Sequence, residues 1–239
     1  MPAFRVSHEL FEVFPDACFG VVVAEGLSVE PVLSLESDLR AQCGRVQGLF
    51  RSVQEVREYP GVAVWRDAFT KLGWNPNRFP SSIEALLSRI AKGGGLPSIN
   101  NVVNAGNVVS LRHLVPIGAH DIDTFDGDIE IRLSREGDVF TPFGSAETEA
   151  VPPGELVYVS GNRVRTRKWV WRQSEIGKIT ASSRRVFVPI DGFFGKTSEQ
   201  VRAARADLAS LCGTLLGAVR VGEFWVDAAV PRVDLGAGV

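Results

Sequence analysis

Asparagines recur at helical spacing in the most polar part of an otherwise valine- and leucine-rich segment, residues 98–133. Asn100, Asn104 and Asn107 stand at positions i, i+4 and i+7, so a helix here presents all three on one face. Asparagine is a poor helix former, and its amide both donates and accepts hydrogen bonds. The stripe indicates either the wall of a polar pocket or local roles as caps and loop hydrogen bonds, and the sequence leaves both open.

Two imidazoles and two nearby carboxylates follow in the same segment, on His113, His120, Asp121 and Asp123. These side chains are of metal-binding types, but their spacing matches none of the short zinc patterns and no cysteine joins them. We therefore expect no metal site. We interpret His120 and Asp121 as a loop pair close to a functional site, and His113 as structural or exposed.

Positive charge is concentrated in residues 161–185, which hold eight Lys or Arg residues against a single acid, Glu175. A strand over 163–171 would project three arginines and two tryptophans from one face: Arg163, Arg165, Arg167, Trp169 and Trp171. Arginines beside tryptophans suit an RNA backbone with bases stacked nearby. The alternative is a solvated edge strand whose charges prevent aggregation, and both interpretations stay open.

The elements that must position these residues are helices in the first half and strands in the middle. Apolar spacing predicts helices over about 33–59, 64–72, 81–92, 100–111 and from 197 onward. Capping boxes mark two of the helix starts, Ser81 with Glu84 and Thr197 with Gln200. Alternating or β-branched runs predict strands at 18–23, 128–133, 155–161, 164–172 and 184–191. The order predicts an α+β fold with mixed or antiparallel sheets and flanking helices, in a single domain over 1–239.

Composition fits a soluble globular protein, since 45% of the 239 residues are hydrophobic and 23% are charged. The net charge of −2 gives no global attraction to nucleic acid or membrane, so any polyanion site must be local. The three cysteines are expected to be free, buried thiols. We find no signal peptide and no membrane-spanning run, and we expect a cytoplasmic protein.

Four segments, SINNVVNAGNVV, PIGAHDID, RQSEIGKIT and VPIDGFF, together resemble the tRNA-binding and editing domain of the phenylalanyl-tRNA synthetase β subunit. The resemblance is clearest over residues 66–217. Within the synthetase, that domain hydrolyses tyrosine wrongly esterified to phenylalanine tRNA. No segment resembles a synthetase catalytic module, so aminoacylation is not expected.

The resemblance implies an amino-acid pocket. Asn107 matches the family's pocket asparagine, and Gly106 lies where the family has threonine. Glu175 matches the glutamate that reads the tyrosine hydroxyl, and Gly192 lies where a small residue lets the amino acid enter. The substrate-binding residues implied in this way, together with the neighbouring stripe residue, are Asn104, Gly106, Asn107, Gly118, Glu175 and Gly192.

The implied chemistry is ester hydrolysis by water, without a protein nucleophile, a cofactor or a metal. The family's PxHAFD segment is matched by PIGAHD, which puts Asp121 on its aspartate but Gly118 in place of a histidine linked to editing. His120, two residues later, is the candidate to replace that histidine. The catalytic candidates are therefore His120, Asp121 and Asn107.

The expected partners are aminoacyl-tRNA and a phenylalanyl-tRNA synthetase, with no membrane and no DNA. The candidate tRNA-binding residues are Arg163, Arg165, Arg167, Lys168 and Arg172. The leading hypothesis is a trans-editing deacylase that acts on a substrate like tyrosyl-tRNA(Phe). The alternatives are a tRNA-binding module that has lost the chemistry and a small-molecule enzyme that reuses the amino-acid pocket.

Overall fold

Two β-sheets with helices packed around them form the structure, a computed structural model that describes residues 2–28 and 32–236. The helices are α1 (His8–Val13), α2 (Leu33–Leu49), α3 (Val53–Glu58), α4 (Pro60–Lys71), α5 (Ser82–Ala91), α6 (Asn101–His113) and α7 (Ser198–Thr214). The strands are β1 (Ala3–Val6), β2 (Ala17–Glu25), β3 (His120–Asp121), β4 (Ile129–Leu133), β5 (Val139–Phe140), β6 (Glu149–Ala150), β7 (Leu156–Ser160), β8 (Arg163–Arg167), β9 (Arg172–Gln173), β10 (Arg185–Phe193), β11 (Arg220–Asp227) and β12 (Arg232–Asp234).

The larger sheet is mixed and the smaller one is antiparallel. The larger sheet runs β12-β1-β4-β7-β8-β5-β6 with β9 paired to β8, and its β1–β4 and β5–β8 pairs are parallel. The smaller sheet runs β11-β2-β10-β3. The predicted α+β fold with mixed and antiparallel sheets and flanking helices is therefore confirmed. In the described part of the chain, no helix is both long and apolar enough to cross a membrane.

Strand β10 separates two hydrophobic cores because its side chains alternate between the two faces of the smaller sheet. Phe187 and Phe193 pack into the large core, with α4, α5 and the larger sheet. Val188 and Ile190 pack into the second core, with α6 and α7. By the same alternation, Asp191 lies on the face toward the large core and Gly192 lies on the face toward α6 and α7.

The helix boundaries largely follow the sequence signals. Ser81 caps α5 by accepting a hydrogen bond from the Glu84 backbone N–H at 3.3 Å, as its capping box predicts. The second predicted box is wrong, although helix α7 is present. Thr197 makes no side-chain cap bond, because its hydroxyl accepts instead from the Phe193 backbone N–H at 3.0 Å.

The predicted strand over 163–171 is wrong beyond Arg167. Lys168 (φ 47°) and Trp169 (φ 62°) adopt left-handed backbone conformations, and pairing resumes only at β9. The expected face of three arginines and two tryptophans is therefore absent. Strands β11 and β12, which follow α7, were also not predicted, because Gly222 and Glu223 interrupt the apolar alternation in β11. The three cysteines are free and buried, as expected.

Candidate functional site

A cleft of about 270 Å³ opens beside helix α6, and we call it the outer cleft. Ile99, Val102, Ile117 and Ile179 supply much of its apolar wall. Its other lining residues used below are Gly106, Asn107, Gly118, Phe143, Gln173 and Lys178. Two amides and one ammonium group in an apolar recess can orient a polar ligand, as small-molecule sites commonly do.

The asparagine stripe on α6 is divided between local structure and the cleft. Asn100 is the N-cap of the helix and accepts from the Val103 backbone N–H at 3.0 Å. Asn104 is buried, accepts from the Ile99 N–H at 3.0 Å and donates to Ser98 Oγ at 2.8 Å. These local bonds correct the assignment of Asn104 to substrate binding. Asn107 does line the cleft.

Two glycines shape the outer cleft in different ways. A Cβ atom on Gly106 would meet only Ile117 Cγ2, at 3.9 Å, so this position widens the cleft. A Cβ atom on Gly118 would lie 3.3 Å from Pro189 Cγ and 3.4 Å from His120 Nε2. Gly118 therefore allows a close approach between the cleft and the groups behind it.

Behind Gly118 lies a second space of about 120 Å³, which we call the inner cavity. It shares Ile117, Gly118 and Gln173 with the outer cleft. Its walls combine aromatic rings and prolines with several polar side chains, and His120 and Asp191 are the most deeply buried of these. The lining residues used below are Pro116, Gly118, His120, Tyr158, Trp169, Trp171, Gln173, Pro189 and Asp191.

His120 is the unusual group of the inner cavity. It is 1% exposed, and its ring lies between those of Tyr158 and Phe187, with centroids 6.0 and 6.1 Å away. Neither Nδ1 nor Nε2 has a hydrogen-bond partner within residues 2–28 and 32–236. Burial and the charge of Arg165 lower the pKa of His120 to about 3, so the ring is neutral near pH 7. A neutral imidazole has one donor and one acceptor, and both are unused here.

Asp191 is the second polar group of the inner cavity. Its Oδ1 accepts hydrogen bonds from the Tyr158 hydroxyl at 2.6 Å and from Trp169 Nε1 at 2.9 Å. Burial raises the pKa of Asp191 to about 7, which the two donated hydrogen bonds only partly offset. No cation of the described residues pairs with it. The carboxyl group is therefore partly protonated near neutral pH.

The backbone beside the inner cavity is strained. Trp169 is fully buried with φ 62°, and it follows Lys168 with φ 47°. Left-handed conformations of such residues cost roughly 1–3 kcal/mol each and cluster at functional sites. The conformation is held by the hydrogen bond from the Trp169 N–H to the Leu156 carbonyl at 2.7 Å and by the indole bond to Asp191. The strain places the indole in the cavity wall.

Asp121 does not line the outer cleft or the inner cavity. Its Oδ1 accepts from the Asp123 N–H at 3.0 Å, and its Oδ2 accepts from Ser183 Oγ at 2.6 Å. Its neighbour His120 lies on the opposite face of β3, since successive strand residues alternate. Asp121 therefore closes a turn, which corrects its assignment as a catalytic group.

His113 lies apart from His120. Its Nε2 is 2.9 Å from Asp207 on α7, so it has the structural role that the sequence suggested. Within the part of the chain that the structure describes, no three His, Cys, Asp or Glu side chains lie close enough together to hold a metal ion.

Glu175 lies next to the rim of the outer cleft and does not line it. Its Oε2 accepts from the Gly144 N–H at 2.9 Å, and its Oε1 pairs with Lys178. The hydrogen bond from Lys178 holds the pKa of Glu175 below its usual value. Phe143 and Lys178, which flank it, do line the cleft. Glu175 therefore anchors the rim.

Gly192 is a close-packing position. A Cβ atom there would lie 2.5 Å from Val201 Cγ2 and 2.7 Å from Thr197 Oγ1. It faces the start of α7, on the side of β10 opposite Asp191. This corrects its assignment to the amino-acid pocket.

The positive charges of the predicted tRNA-binding strand are mostly paired with carboxylates of the protein itself. Arg163 pairs with Asp126, and Arg167 and Lys168 both pair with Glu155. Arg165 is fully buried and donates to Thr124. Strand β8 lies between β7 and β5, so it is not a solvated edge strand either.

A buried Arg165 has no route to a phosphate, which corrects its assignment to tRNA binding. Arg172, like Arg163, is exposed, but it differs from Arg163, Arg167 and Lys168 because no carboxylate of the described residues pairs with it. Its guanidinium lies 6.0 Å from the Trp171 ring centroid.

Sequence reasoning missed the polar groups of the inner cavity other than His120. Asp191 did carry a signal, since it is the single acid in the apolar run VFVPIDGFF. Tyr158 carried none, because its spacing matches no motif. Trp169 was interpreted as a stacking residue of the basic strand, and Gln173 lies in the segment RQSEIGKIT without having been singled out.

The residues that line both cavities lie within the part of the chain that a family model matches. The model of the B3/4 domain family matches residues 64–209. Among solved structures, the chain is similar to an N-terminal fragment of the phenylalanyl-tRNA synthetase β-subunit from Pyrococcus horikoshii, at 12% identity and a TM-score of 0.46. The alignment covers 93% of this chain and 53% of that one, so the chain spans about half the fragment's length. No curated protein matches the sequence.

Proposed function

The chain belongs to the B3/4 domain family, and from this membership and its two adjoining cavities we propose that it hydrolyses mischarged aminoacyl-tRNA. The family match confirms the resemblance to the phenylalanyl-tRNA synthetase β subunit and makes the chain a tRNA-related, editing-type domain. The deacylase activity itself is the proposal.

The observation that carries the proposal is the outer cleft with the inner cavity behind it. The aminoacyl ester would lie in the outer cleft, where Asn107 and Gln173 offer side-chain amides. The amino-acid side chain would point inward past Gly118. Lys178 lies at the rim, where its charge is already paired with Glu175, and its ammonium group would donate a hydrogen bond to the ligand.

Catalysis in such a site rests on positioning. Water adds to the ester carbonyl, the bond from the carbonyl carbon to the ribose oxygen breaks, and the proton lost by the water ends on that leaving oxygen. The Asn107 amide stabilises the charge that develops on the carbonyl oxygen. His120 is too weak a base for this step, because its pKa is about 3. The Asp121 carboxylate is occupied by Ser183 and by the backbone. Of the three catalytic candidates, Asn107 alone keeps a direct role.

The proposed partner is aminoacyl-tRNA, met in the cytoplasm beside a phenylalanyl-tRNA synthetase that produces the mischarged species. Arg172 is the proposed contact to the tRNA backbone, since it is exposed and pairs with no carboxylate of the described residues. The proposal requires neither a membrane nor DNA.

Deacylation assays test this function. The wild-type protein is expected to release amino acid from tyrosyl-tRNA(Phe), or from one member of a panel of other aminoacyl-tRNAs, faster than buffer. Asn107→Ala is expected to lower kcat by roughly a hundredfold, as loss of an oxyanion donor does. Asn162→Ala, an exposed loop asparagine, is the matched control and should have no effect. Release at the buffer rate from every substrate contradicts the proposal.

A tRNA-binding module without chemistry is the second candidate. It is favoured by the lack of an available base, since His120 is weakly basic and Asp121 is occupied. It predicts tight, salt-dependent tRNA binding without turnover. A small-molecule enzyme would instead hydrolyse free amino-acid esters at a rate independent of tRNA.

A further inference from the structure

We infer that an aromatic and basic surface beside the inner cavity, which we call the stacking platform, binds unpaired nucleotides of an RNA. Two segments supply its residues, which are Trp74, Arg78, Phe79, Trp171 and Arg172. Its rings stack on bases, and its two guanidinium groups pair with phosphates. The inference rests on the proposed function only in taking tRNA as the RNA, and the binding can be tested without an esterified amino acid.

Three partly accessible aromatic rings form the surface of the stacking platform. The Phe79 and Trp171 rings meet edge to face, with their centroids 4.8 Å apart and an interplanar angle of 78°. Lys168 Nζ lies 4.7 Å from the Trp74 ring centroid and 4.6 Å from that of Phe79, so the third ring belongs to the same cluster. Single-stranded RNA stacks its bases on such rings, and the stacking tolerates any base.

Two exposed arginines flank the rings of the platform. The Arg78 guanidinium lies 5.1 Å from the Phe79 ring centroid, and the Arg172 guanidinium lies 6.0 Å from the Trp171 ring centroid. No carboxylate within residues 2–28 and 32–236 pairs with either arginine. Both charges can therefore neutralise a phosphate. Rings placed between two such guanidinium groups match the alternation of bases and phosphates along an RNA strand.

The loop that carries Arg78 and Phe79 is held in shape by its own hydrogen bonds. The backbone N–H groups of both residues donate to the Asn75 carbonyl, each at 3.0 Å. The Asn77 N–H donates to Asn75 Oδ1 at 2.9 Å, and Asn77 Oδ1 accepts from Arg66 on α4 at 2.8 Å. A preformed surface loses little conformational entropy on binding. The loop therefore presents its ring and its guanidinium group in a fixed arrangement.

The stacking platform adjoins both cavities. Trp171 lines the inner cavity, and Gln173, two residues later on β9, lines the inner cavity and the outer cleft. The Ser82 N–H at the start of α5 donates to the Val170 carbonyl at 2.8 Å, which joins the loop before α5 to the segment that carries Trp171. An RNA end that enters the outer cleft therefore places its preceding nucleotides at the platform.

Two uncharged RNA hairpins test the platform with the full chain. One carries the unpaired 3′ end ACCA of a tRNA acceptor stem, and the other has the same stem without that end. Fluorescence anisotropy of the labelled hairpins gives both dissociation constants. Wild-type protein is expected to bind the hairpin with the unpaired end at least about tenfold more tightly, because its bases stack on the rings.

Trp171→Leu is expected to lose this preference, and Trp171→Phe, which keeps a ring, is expected to retain most of it. Trp225→Leu is the matched control, since it removes a ring that lies 3.9 Å from the Arg202 guanidinium and outside the platform. The control is expected to keep the full preference. Urea denaturation checks that each variant is folded.

Arg78→Ala is expected to weaken binding of the hairpin with the unpaired end by about threefold to tenfold, with a shallower salt dependence, because one phosphate contact is lost. Arg78 is exposed, so this variant is expected to fold even if Trp171→Leu does not. Anisotropy at several salt concentrations measures the change.

Any one of four results overturns the inference: no binding or equal binding of the two hairpins by the wild type, an unchanged preference in folded Trp171→Leu, an equal loss of preference in Trp225→Leu, or unchanged binding by Arg78→Ala. The comparison of hairpins on wild type needs no variant. A preference for the unpaired end without deacylation refutes the proposed function alone. Deacylation without that preference refutes the platform alone.

Discussion

The basic strand, which is β8 together with Lys168, and the inner cavity meet at Trp169 but treat their polar groups in opposite ways. In the basic strand, Arg167 and Lys168 share Glu155, and buried Arg165 donates to Thr124. In the inner cavity, His120 has no partner in the described chain. The charges of the basic strand are therefore mostly paired within the protein, although Arg165 Nε has no partner in the described chain, whereas His120 lacks a partner at both of its nitrogens.

This difference teaches where ligand chemistry is to be sought. A cluster of like charges in a sequence requires counter-charges, and a folded protein often supplies them from its own chain. Groups left without partners after folding are the ones that a ligand can satisfy. The following predictions test the comparison, from the largest expected effect to the smallest.

Glu155→Gln is expected to cause the largest loss of stability, roughly 3–5 kcal/mol, because it leaves the largely buried Lys168 without its counter-charge and Arg167 with Glu149 alone. Glu149→Gln is the matched control. Its carboxylate also pairs with Arg167, but it is half exposed, so the loss should stay below about 1 kcal/mol. Urea denaturation of both variants measures the difference. Equal losses of stability in the two variants would show that the buried Glu155 stabilises the basic strand no more than the exposed Glu149 does.

His120→Phe is expected to raise the free energy of unfolding by about 1–3 kcal/mol near pH 7, because it removes two unsatisfied buried nitrogens. His113→Phe provides the contrast, since it removes a bond to Asp207 and should cost about 1 kcal/mol. Urea denaturation again gives both values. A destabilised His120→Phe protein would mean that the imidazole is satisfied in solution.

The stability of His120→Phe relative to wild type is expected to depend on pH. His120 has a pKa of about 3 when folded against an ordinary value of 6.5, so between these values the unfolded chain binds the extra proton. The buried His120 therefore lowers the free energy of unfolding of the wild-type protein as the pH falls, by about 1.4 kcal/mol per pH unit.

Asp191 contributes with the opposite sign. Its folded pKa is about 7 against 3.8, so the folded state binds the extra proton in between and stability falls as the pH rises. The two slopes oppose each other between about pH 4 and pH 6.5. The His120→Phe variant keeps only the Asp191 contribution to the pH dependence. The difference in free energy of unfolding between the variant and wild type should therefore grow by about 3 kcal/mol as the pH falls across this window. A constant difference in urea titrations contradicts a buried, neutral His120.

Arg172→Ala is expected to give the smallest effect, a loss of tRNA affinity of about threefold to tenfold with a shallower salt dependence. Arg163→Ala is the control, because Arg163 already pairs with Asp126 and is not expected to neutralise a phosphate. Filter binding at several salt concentrations measures both. A larger loss for Arg163→Ala would return the basic strand to the tRNA interface.

The sequence predicted those features of the fold that depend on local spacing. Helix α6, the Ser81 cap and the long strand β10 follow from periodicity and capping residues, and the family resemblance is confirmed over residues 64–209. The break at Lys168 and Trp169 was not predictable, because neither glycine nor proline marks it.

The site was predicted less completely, since partners distant in sequence decide it. Asn107 lines the outer cleft, but Asn104 turns to Ser98 and Ile99. Period-two alternation separates Asp191 from Gly192, yet the sequence does not show which face of β10 is covered by α7. Arg165 is buried against Thr124, a contact that no local pattern indicates.

The most direct test of the central claim is the rate at which wild type, Asn107→Ala and the control Asn162→Ala deacylate tyrosyl-tRNA(Phe). The account predicts that wild type and the control release the amino acid faster than buffer. It predicts a kcat about a hundredfold lower for Asn107→Ala, because the amide that stabilises the developing charge is lost. Release at the buffer rate by wild type, or an unchanged rate in folded Asn107→Ala, contradicts the account.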